Sequence, residues 1–503
     1  MSLIRILATS DVHGTVFPEY YGDRSWRRLG IAALKKAFDE LRDENTLIID
    51  NGDTLEGTPL TFRHYSFEPD QVCPITKAMK AAGYDLINLG NHDFNYGEQA
   101  MFTHLENSGA ACITANVFYK GERICPPYRI IEKGGKKLAV FGVITQYIPF
   151  WEKAEHIRNF TFADAFETAK EITRMIRENE QADYVVCCYH GGFERDIETG
   201  EPNQDLTGEN EGYMMLKEIE GIDILISGHQ HRTLCGQAFG KVYTQTASTG
   251  SEFACIEIDE TGIHAEIRKP AEEADQQVLD LVQEEEDACQ IWLDQALGRC
   301  ISDLKVTDEF DARLHKTQLI TFLNKVQAEA TGAQLSASAL FSGATGFDSE
   351  ITMRNIVSTY VFPNTLTLKK MSGKQLRAYL EKCAEYWDVR DGQIIVSPAF
   401  DYPTPMHFNY DMIDGAEYTI KASNPVGQRI VSLKVDGKDV TDDDFFTICV
   451  NNYRAGGSGG FSMVREAETL KEDLTAMVDI LAAYIMDKKT IEFEPVHNIQ
   501  VIV

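Results

Sequence analysis

Apolar runs of five to seven residues recur through the first half of the chain, with helix-patterned stretches between them. The runs are Ile4–Ala8, Thr46–Asp50, Asp85–Leu89, Leu138–Ile144, Asp183–Tyr189 and Asp223–Ser227. They are near-continuous in apolar character, the pattern of strands covered on both faces. Between them, "RLGIAALKKAFDELRDE" and "FADAFETAKEITRMIRENE" put apolar residues at helical spacing. This order predicts an α/β sheet. Weaker alternating runs at "KVYTQT" and "EFACIEID" predict an antiparallel strand or two.

From about Pro270 to Leu297 the pattern changes to a charged, helix-prone stretch, read as a linker helix whose acidic "QEEED" is a solvated face. Beyond it, helices ("KTQLITFLNKVQAEATG", "SGKQLRAYLEKCAEYW") and strands ("EYTIKA", "RIVSLKVDG", "FFTICVNN") predict a second, α+β domain. The expected organisation is a first domain over 1–270, a linker helix over 271–302 and a second domain over 303–503.

Composition narrows the function. The chain has 503 residues, 43% hydrophobic and 25% charged, ordinary for a globular protein with more than one domain. No apolar run approaches the length of a membrane span, and the opening "MSLIRILATSDVHG" lacks the pattern of a signal peptide, so a cytoplasmic location is expected. Eleven cysteines without a C-x-x-C suggest free thiols in a reducing compartment. A net charge of −30 without a basic block argues against nucleic-acid polymer and against an anionic membrane as partners. An anionic small molecule needs a local positive field, which bound metal ions supply.

The chemistry sits at strand ends. After "ILATS" comes Asp11-x-His13; after "LIIDN", Gly52-Asp53; after "LINLG", Asn91-His92; after "CCY", His190; after "LIS", His229-x-His231. One Asp or His at a strand end is ordinarily a cap or a turn residue. Five turns that all choose metal-ligand chemistry, at the carboxyl edge where open α/β sheets bind ligands, point to a metal site. Seven ligands fit two ions if one carboxylate bridges, and Asp53 lies in the middle of the set. The ligand types suit several divalent metals. "GGSGG" (Gly456–Gly460) matches the serine-hydrolase G-x-S-x-G pattern, but "YRA" separates it from its strand, so a glycine-rich loop is the simpler reading.

D-x-H, G-D, G-N-H-D, H-G-G and G-H-x-H, in this order, resemble the calcineurin-like metallophosphoesterase superfamily. "FNYDMIDGAEYTI", "PVGQRIVSLKVDGKDV" and "NNYRAGGSGGF" are similar to the C-terminal domain of the 5′-nucleotidase family, closest to its 2′,3′-cyclic-nucleotide 2′-phosphodiesterase/3′-nucleotidase branch. The resemblance implies an N-terminal metallophosphoesterase α/β sandwich and a C-terminal α+β substrate-binding domain. It implies two divalent ions (Mn, Zn, Fe, Co or Mg), one held by Asp11, His13, Asp53 and His231, the other by Asp53, Asn91, His190 and His229. It implies hydrolysis of a nucleotide phosphoester by activated water, with His92 acting on the phosphate or the leaving oxygen. Phe362 and Tyr453 match the rings that sandwich the base, with Tyr360 as the alternative to Phe362, and Arg354 matches a family arginine. Two positions depart from the 5′-nucleotidases: Asn95 stands where an Asp pairs with the histidine, and Ser458 where an Asp contacts ribose. A nucleotide sensor without chemistry, and hydrolysis of a different phosphoester, stay open as alternatives, as do 5′-, 3′- and cyclic substrates and the oligomeric state.

Overall fold

The computed structural model describes residues 3–202, 206–362, 364–401, 405–473 and 475–503. The chain divides into two compact units, Met1–Cys289 and Gln290–Val503. Among the described residues no helix is long and apolar enough to cross a membrane.

The N-terminal unit is built on two six-stranded sheets. Its strands are β1 (Ile4–Thr9), β2 (Thr46–Asp50), β3 (Leu86–Ile87), β4 (Ala111–Cys112), β5 (Arg129–Lys133), β6 (Lys136–Ile144), β7 (Tyr184–His190), β8 (Ile224–Ser227), β9 (Leu234–Ala238), β10 (Lys241–Gln245), β11 (Phe253–Asp259) and β12 (Gly262–Arg268). The first sheet runs β12-β11-β1-β2-β3-β4 and the second β9-β10-β8-β7-β6-β5. β1 to β4 are parallel neighbours, as are β6, β7, β8 and β10. The "EFACIEID" run becomes β11, antiparallel to β1, while "KVYTQ" becomes β10, parallel to β8 and antiparallel to β9.

The apolar runs are covered on both faces because each sheet has two neighbours. Ile4, Ile6, Ile49, Val140, Val186, Cys188 and Ile226 form one core, contributed by both sheets. Val185, Cys187 and Tyr189 face the other way, into a core with Ala169, Ile172 and Ile176 of the helix α1 (Ala165–Asn179). The adjacent Cys187 and Cys188 thus enter different cores by strand alternation. Two buried asparagines join the sheets at their carboxyl edges. Asn51 Nδ2 donates to Tyr189 O at 3.2 Å, and Asn88 Nδ2 donates to Val143 O at 3.1 Å and to Asn51 Oδ1 at 3.1 Å. With the second sheet locked to the first there, all the strand ends that carry candidate ligands meet on one side.

The segment expected as one linker helix differs. It forms two short helices, Gln276–Leu281 and Gln283–Leu293, followed by a strand, Ala296–Cys300. Val282 leaves helical backbone (φ −127°, ψ 17°) and ends the first helix. The strand pairs with Glu350–Thr352 across a bulge, so the last part of the segment belongs to the second unit's sheet structure. The "QEEED" stretch is solvated at Gln283, Glu284 and Asp287, while Glu286 is buried and accepts from Tyr21 Oη at 2.7 Å and Glu285 pairs with Lys77.

The C-terminal unit carries a five-stranded sheet in the order β15 (Asp411–Asp414), β13 (Leu335–Ala339), β16 (Phe445–Asn451), β14 (Leu366–Ser372), β17 (Glu468–Asp473). The helix α2 (Gln318–Thr331) buries Leu319, Phe322, Leu323 and Val326 and packs on β13. The helix α3 (Gly373–Ala384) starts at a Ser372 cap closed by Gln375.

Candidate metal centre

Asp11 and His13 follow β1, Asp53 follows β2, Asn91 and His92 follow β3, His190 ends β7, and His229 and His231 follow β8. Of the seven candidate ligands, Asp11, His13, Asp53, His229 and His231 hold φ between 48° and 69°. Non-glycine residues adopt this left-handed region at a cost, and they cluster in it where function requires the geometry. Two glycines make the close approach possible. Gly52 has φ 94°, and a Cβ there would lie 2.3 Å from Gly90 N; a Cβ on Gly90 would lie 2.2 Å from Asp53 Oδ1.

The side chains converge in two groups. Asp11, His13 and His231 present ligand atoms within 4.8 Å of one another, and Asp53, His190 and His229 do the same. His13 Nε2 and His231 Nε2 face each other at 3.0 Å, and His190 Nε2 lies 3.1 Å from Asp53 Oδ2. His13 Nδ1 lies 2.9 Å from Glu56 O and His190 Nδ1 2.7 Å from Asn51 O. Each ring donates its Nδ1–H to a backbone carbonyl, which leaves Nε2 as the ligating nitrogen, the usual outer-shell arrangement around a metal-binding histidine. One buried acceptor here, Asn91 Oδ1, has no hydrogen-bond partner among the described residues, and His190 Nε2 meets only the Asp53 carboxylate at 3.1 Å. A buried acceptor without a donor is costly, and a cation satisfies it. The donor set of carboxylates, imidazoles and one amide oxygen fits divalent metal ions.

The electrostatics agree. Burial opposes ionisation of Asp11 and Asp53, yet His190 and the other imidazoles outweigh it and hold both carboxyls below the usual range. Burial opposes charge on His190, but Asp53 and Asp11 carry it up to about 10. Burial, reinforced by His231, pushes His13 down to about 4. The cluster is a buried pair of carboxylates that collects positive charge.

His92 stands beside the first group, its ring centroid 5.5 Å from His13. Its backbone N–H donates to Asp53 Oδ1 at 2.7 Å, and its Nδ1 lies 2.7 Å from Asn95 Oδ1. Burial opposes its charge, and Asp53 and Glu56 override that and raise it to about 9. Asp93 acts on the backbone. Its carboxylate accepts from the backbone N–H groups of Gly90, Asp53, Thr54 and Leu55 at 2.8–3.1 Å and ties the two ligand loops together. Strand-end reading missed three acids near the cluster. Glu56 Oε2 is 3.4 Å from His92 Nδ1, Glu209 Oε1 is 3.1 Å from His229 Nε2, and Glu152 reaches Asn95. None of them follows a strand directly, so the strand-end pattern does not mark them.

The C-terminal candidates are placed separately. Tyr453 is half-buried on a short helix after β16, 6.1 Å from the Phe408 ring. Phe362 is 38% exposed with its ring 5.0 Å from Phe341, while Tyr360 is buried in that same aromatic group. Arg354 lies in an ion pair with Asp294 at 2.7 Å and also donates to Gln290 Oε1. Ser458 is buried, and its carbonyl accepts from Arg454 within the glycine-rich loop.

The fold and the clustered ligands define a calcineurin-like phosphoesterase domain, and the family model of that description matches residues 4–233. The model for the 5′-nucleotidase C-terminal domain matches residues 300–466. The chain belongs to the 5′-nucleotidase family. It is 31% identical to a solved putative 5′-nucleotidase from Staphylococcus aureus, with a TM-score of 0.93 over all of both chains. It is 25% identical to the 2′,3′-cyclic-nucleotide 2′-phosphodiesterase/3′-nucleotidase of Salmonella typhimurium, covering 90% of this chain and 81% of that protein. It is 24% identical to the trifunctional nucleotide phosphoesterase protein YfkN of Bacillus subtilis over 97% of this chain, and spans 38% of YfkN's length.

Proposed function

We propose that this protein is a divalent-metal-dependent hydrolase of small nucleotide phosphoesters, with 2′,3′-cyclic and 3′-nucleotides as the first candidates and 5′-nucleotides as the second. The observation that carries the reading is the pair of ligand groups around Asp11 and Asp53, together with the unpartnered Asn91 Oδ1. Asp11, His13, Asp53 and His231 would hold one ion, and Asp53, Asn91, His190 and His229 the other. When bound, two such ions polarise phosphoryl oxygens and bring the pKa of water toward neutrality.

The chain's own residues supply the rest. His92, with Nδ1 turned to Asn95, keeps Nε2 for a phosphoryl oxygen or for a proton given to the leaving oxygen. Asp93 fixes the loops that present Asp53 and Asn91. Tyr453 and Phe362 offer aromatic faces, and stacking tolerates any base.

The test is phosphate release by metal-stripped protein with Mn²⁺, Zn²⁺, Co²⁺ or Mg²⁺ added back. The substrates are 2′,3′-cyclic AMP, 3′-AMP, 5′-AMP and bis-p-nitrophenyl phosphate, with a phosphomonoesterase added to reveal ring opening. Metal-dependent turnover of the cyclic and 3′ substrates supports the first candidates, and turnover of 5′-AMP alone selects the second. No turnover of any nucleotide by metal-loaded protein overturns the reading and leaves a sensor or another phosphoester.

A further inference from the structure

Asn95, which stands where the resemblance implies an Asp beside the histidine, meets the ring of His92 with a neutral amide. The structure supplies a carboxylate one step further out. His92 Nδ1 lies 2.7 Å from Asn95 Oδ1, Asn95 Nδ2 donates to Glu152 Oε2 at 2.5 Å, and Glu152 Oε1 lies 2.8 Å from His156 Nδ1. The Glu152 side chain is 4% exposed. A carboxylate buried to that degree is costly unless it is hydrogen-bonded, and its partners are the Asn95 amide, the Lys153 backbone N–H and His156.

We infer that Glu152 is a positioning residue for His92 and acts through Asn95, so that the Asn95–Glu152 pair replaces a single carboxylate. The argument follows from donor and acceptor chemistry. An ionised carboxylate only accepts, so the Asn95 amide must turn its NH₂ toward Glu152. Its carbonyl oxygen is then fixed toward His92, where it accepts from Nδ1–H. The proton is placed on Nδ1, and Nε2 is the ring nitrogen left for substrate. An amide alone could flip and present NH₂ to the ring, which would reverse the tautomer; Glu152 prevents the flip.

The backbone that carries Glu152 is built for this. It lies between a turn at Ile148–Phe150 and a short helix at Ala154–Ile157. Ile148 and Ile157 are buried with Leu89 and Phe94, which flank the His92 loop on both sides. The Glu152 N–H donates to Ile148 O at 2.9 Å. The neighbouring Trp151 stacks on His229, ring centroids 5.5 Å apart at 24°. One segment thus reaches two of the site's histidines from adjacent positions, although 57 residues separate Glu152 from Asn95.

The inference rests on the hydrolase reading, and the experiment separates the two. The single variants Asn95→Asp and Glu152→Gln and the charge-exchanged double variant Asn95→Asp/Glu152→Gln keep side-chain size. Asn95→Asp sets two carboxylates against each other, and Glu152→Gln removes the charge that orients the amide. Each single variant is expected to lower kcat for a nucleotide about tenfold with KM within about twofold and metal content unchanged. In the double variant the amide introduced at position 152 donates to the carboxylate introduced at position 95, and kcat is expected to recover to within about threefold of wild type. Additive losses, or no loss in either single variant while wild type turns over, overturn the inference; the second result assigns the orientation of His92 to Glu56. Long-range 15N spectra of His92 in the metal-loaded protein, taken on the alkaline side where the ring carries a single proton, read the tautomer without turnover. An Nδ1-protonated ring in wild type that becomes mixed in both single variants and returns in the double variant supports the inference. A ring that stays the same in all four proteins overturns it, even if wild-type protein hydrolyses no nucleotide.

Discussion

Asp53 and Arg454 are both buried charged side chains, one in each unit, and their surroundings differ. Arg454 is met on every side by the chain. Its guanidinium pairs with Asp411 at 2.6 Å, donates to Ser458 O at 2.7 Å and Phe408 O at 3.0 Å, and lies 3.6 Å from the centroid of Phe461. Asp411 also accepts from Tyr379 Oη at 2.6 Å. Around Asp53 the chain leaves groups unsatisfied: strained ligand backbones, imidazole nitrogens facing one another, and Asn91 Oδ1 without a partner among the described residues. A buried charge that the chain satisfies completely is architecture. A buried charge cluster that it satisfies incompletely is a place for something the chain does not contain.

The largest effect that tests this difference is Asp53→Asn. It should lower metal-dependent turnover by about 10³-fold or more, since in the proposed reading this carboxylate would serve both ions and several kcal/mol of charge stabilisation would be lost with it. The metal-free protein should lose stability as well, because His190 loses the carboxylate that carries its buried charge, so turnover is read at a temperature where the variant stays folded. Wild-type turnover by the metal-loaded variant would make Asp53 architectural and break the contrast.

Arg454→Met is the opposite case. Removing one partner of a buried pair typically costs about 3–5 kcal/mol, here because Asp411 is left buried and unpaired. The cost should appear in the denaturant midpoint of the C-terminal unit, whether or not metal is present. Chelation with EDTA sharpens the comparison, since it should lower the unfolding temperature of the N-terminal unit alone.

The strand ends carrying Asp11, Asp53, Asn91, His190 and His229 were legible in the sequence because each follows an apolar run directly, so local pattern and chemistry coincide. The division of those strands between two sheets was not: Val185 and Val186 look alike in sequence and enter different cores. Asn51, Asn88 and Glu152 were also illegible, because only the finished fold brings Asn51 and Asn88 to strands of the other sheet and Glu152 to Asn95. Arg354 matched a family position, and only the structure reveals that Asp294 occupies its guanidinium. The acidic run is solvated at three of its positions as its pattern suggests, and only the fold shows Tyr21 and Lys77 meeting Glu286 and Glu285.

An unpartnered nitrogen is not enough to make a ligand site, and His104 supplies the control. It is buried, its Nδ1 lies 2.8 Å from Thr76 Oγ1, and its Nε2 has no partner, but no carboxylate supports it as Asp53 supports His190. Burial lowers its pKa from 6.5 to about 4. Below about pH 6.5 the unfolded chain takes up the proton, whereas the folded chain does so only near pH 4. Stability should therefore fall with pH across that window, by about 3 kcal/mol in all from this group. His104→Gln should flatten the fall in urea midpoints of the metal-free protein between about pH 7 and about pH 4.5. Parallel curves for variant and wild type would assign the acid sensitivity elsewhere.

Tyr453 asks whether the completed cluster has a functional output. The ring sits next to Arg454 in sequence, with the guanidinium 5.9 Å from its centroid, so the satisfied charge anchors the backbone that presents it. A stacked base contributes about 1–3 kcal/mol, and Tyr453→Ala should raise KM for a nucleotide about tenfold. Turnover of p-nitrophenyl phosphate, which has no base, should stay within about twofold. A parallel loss on the aryl substrate would make Tyr453 part of the Arg454 scaffold. A loss confined to nucleotides would mean that the complete cluster serves recognition by holding one ring still, while the incomplete cluster serves chemistry by leaving room for ions.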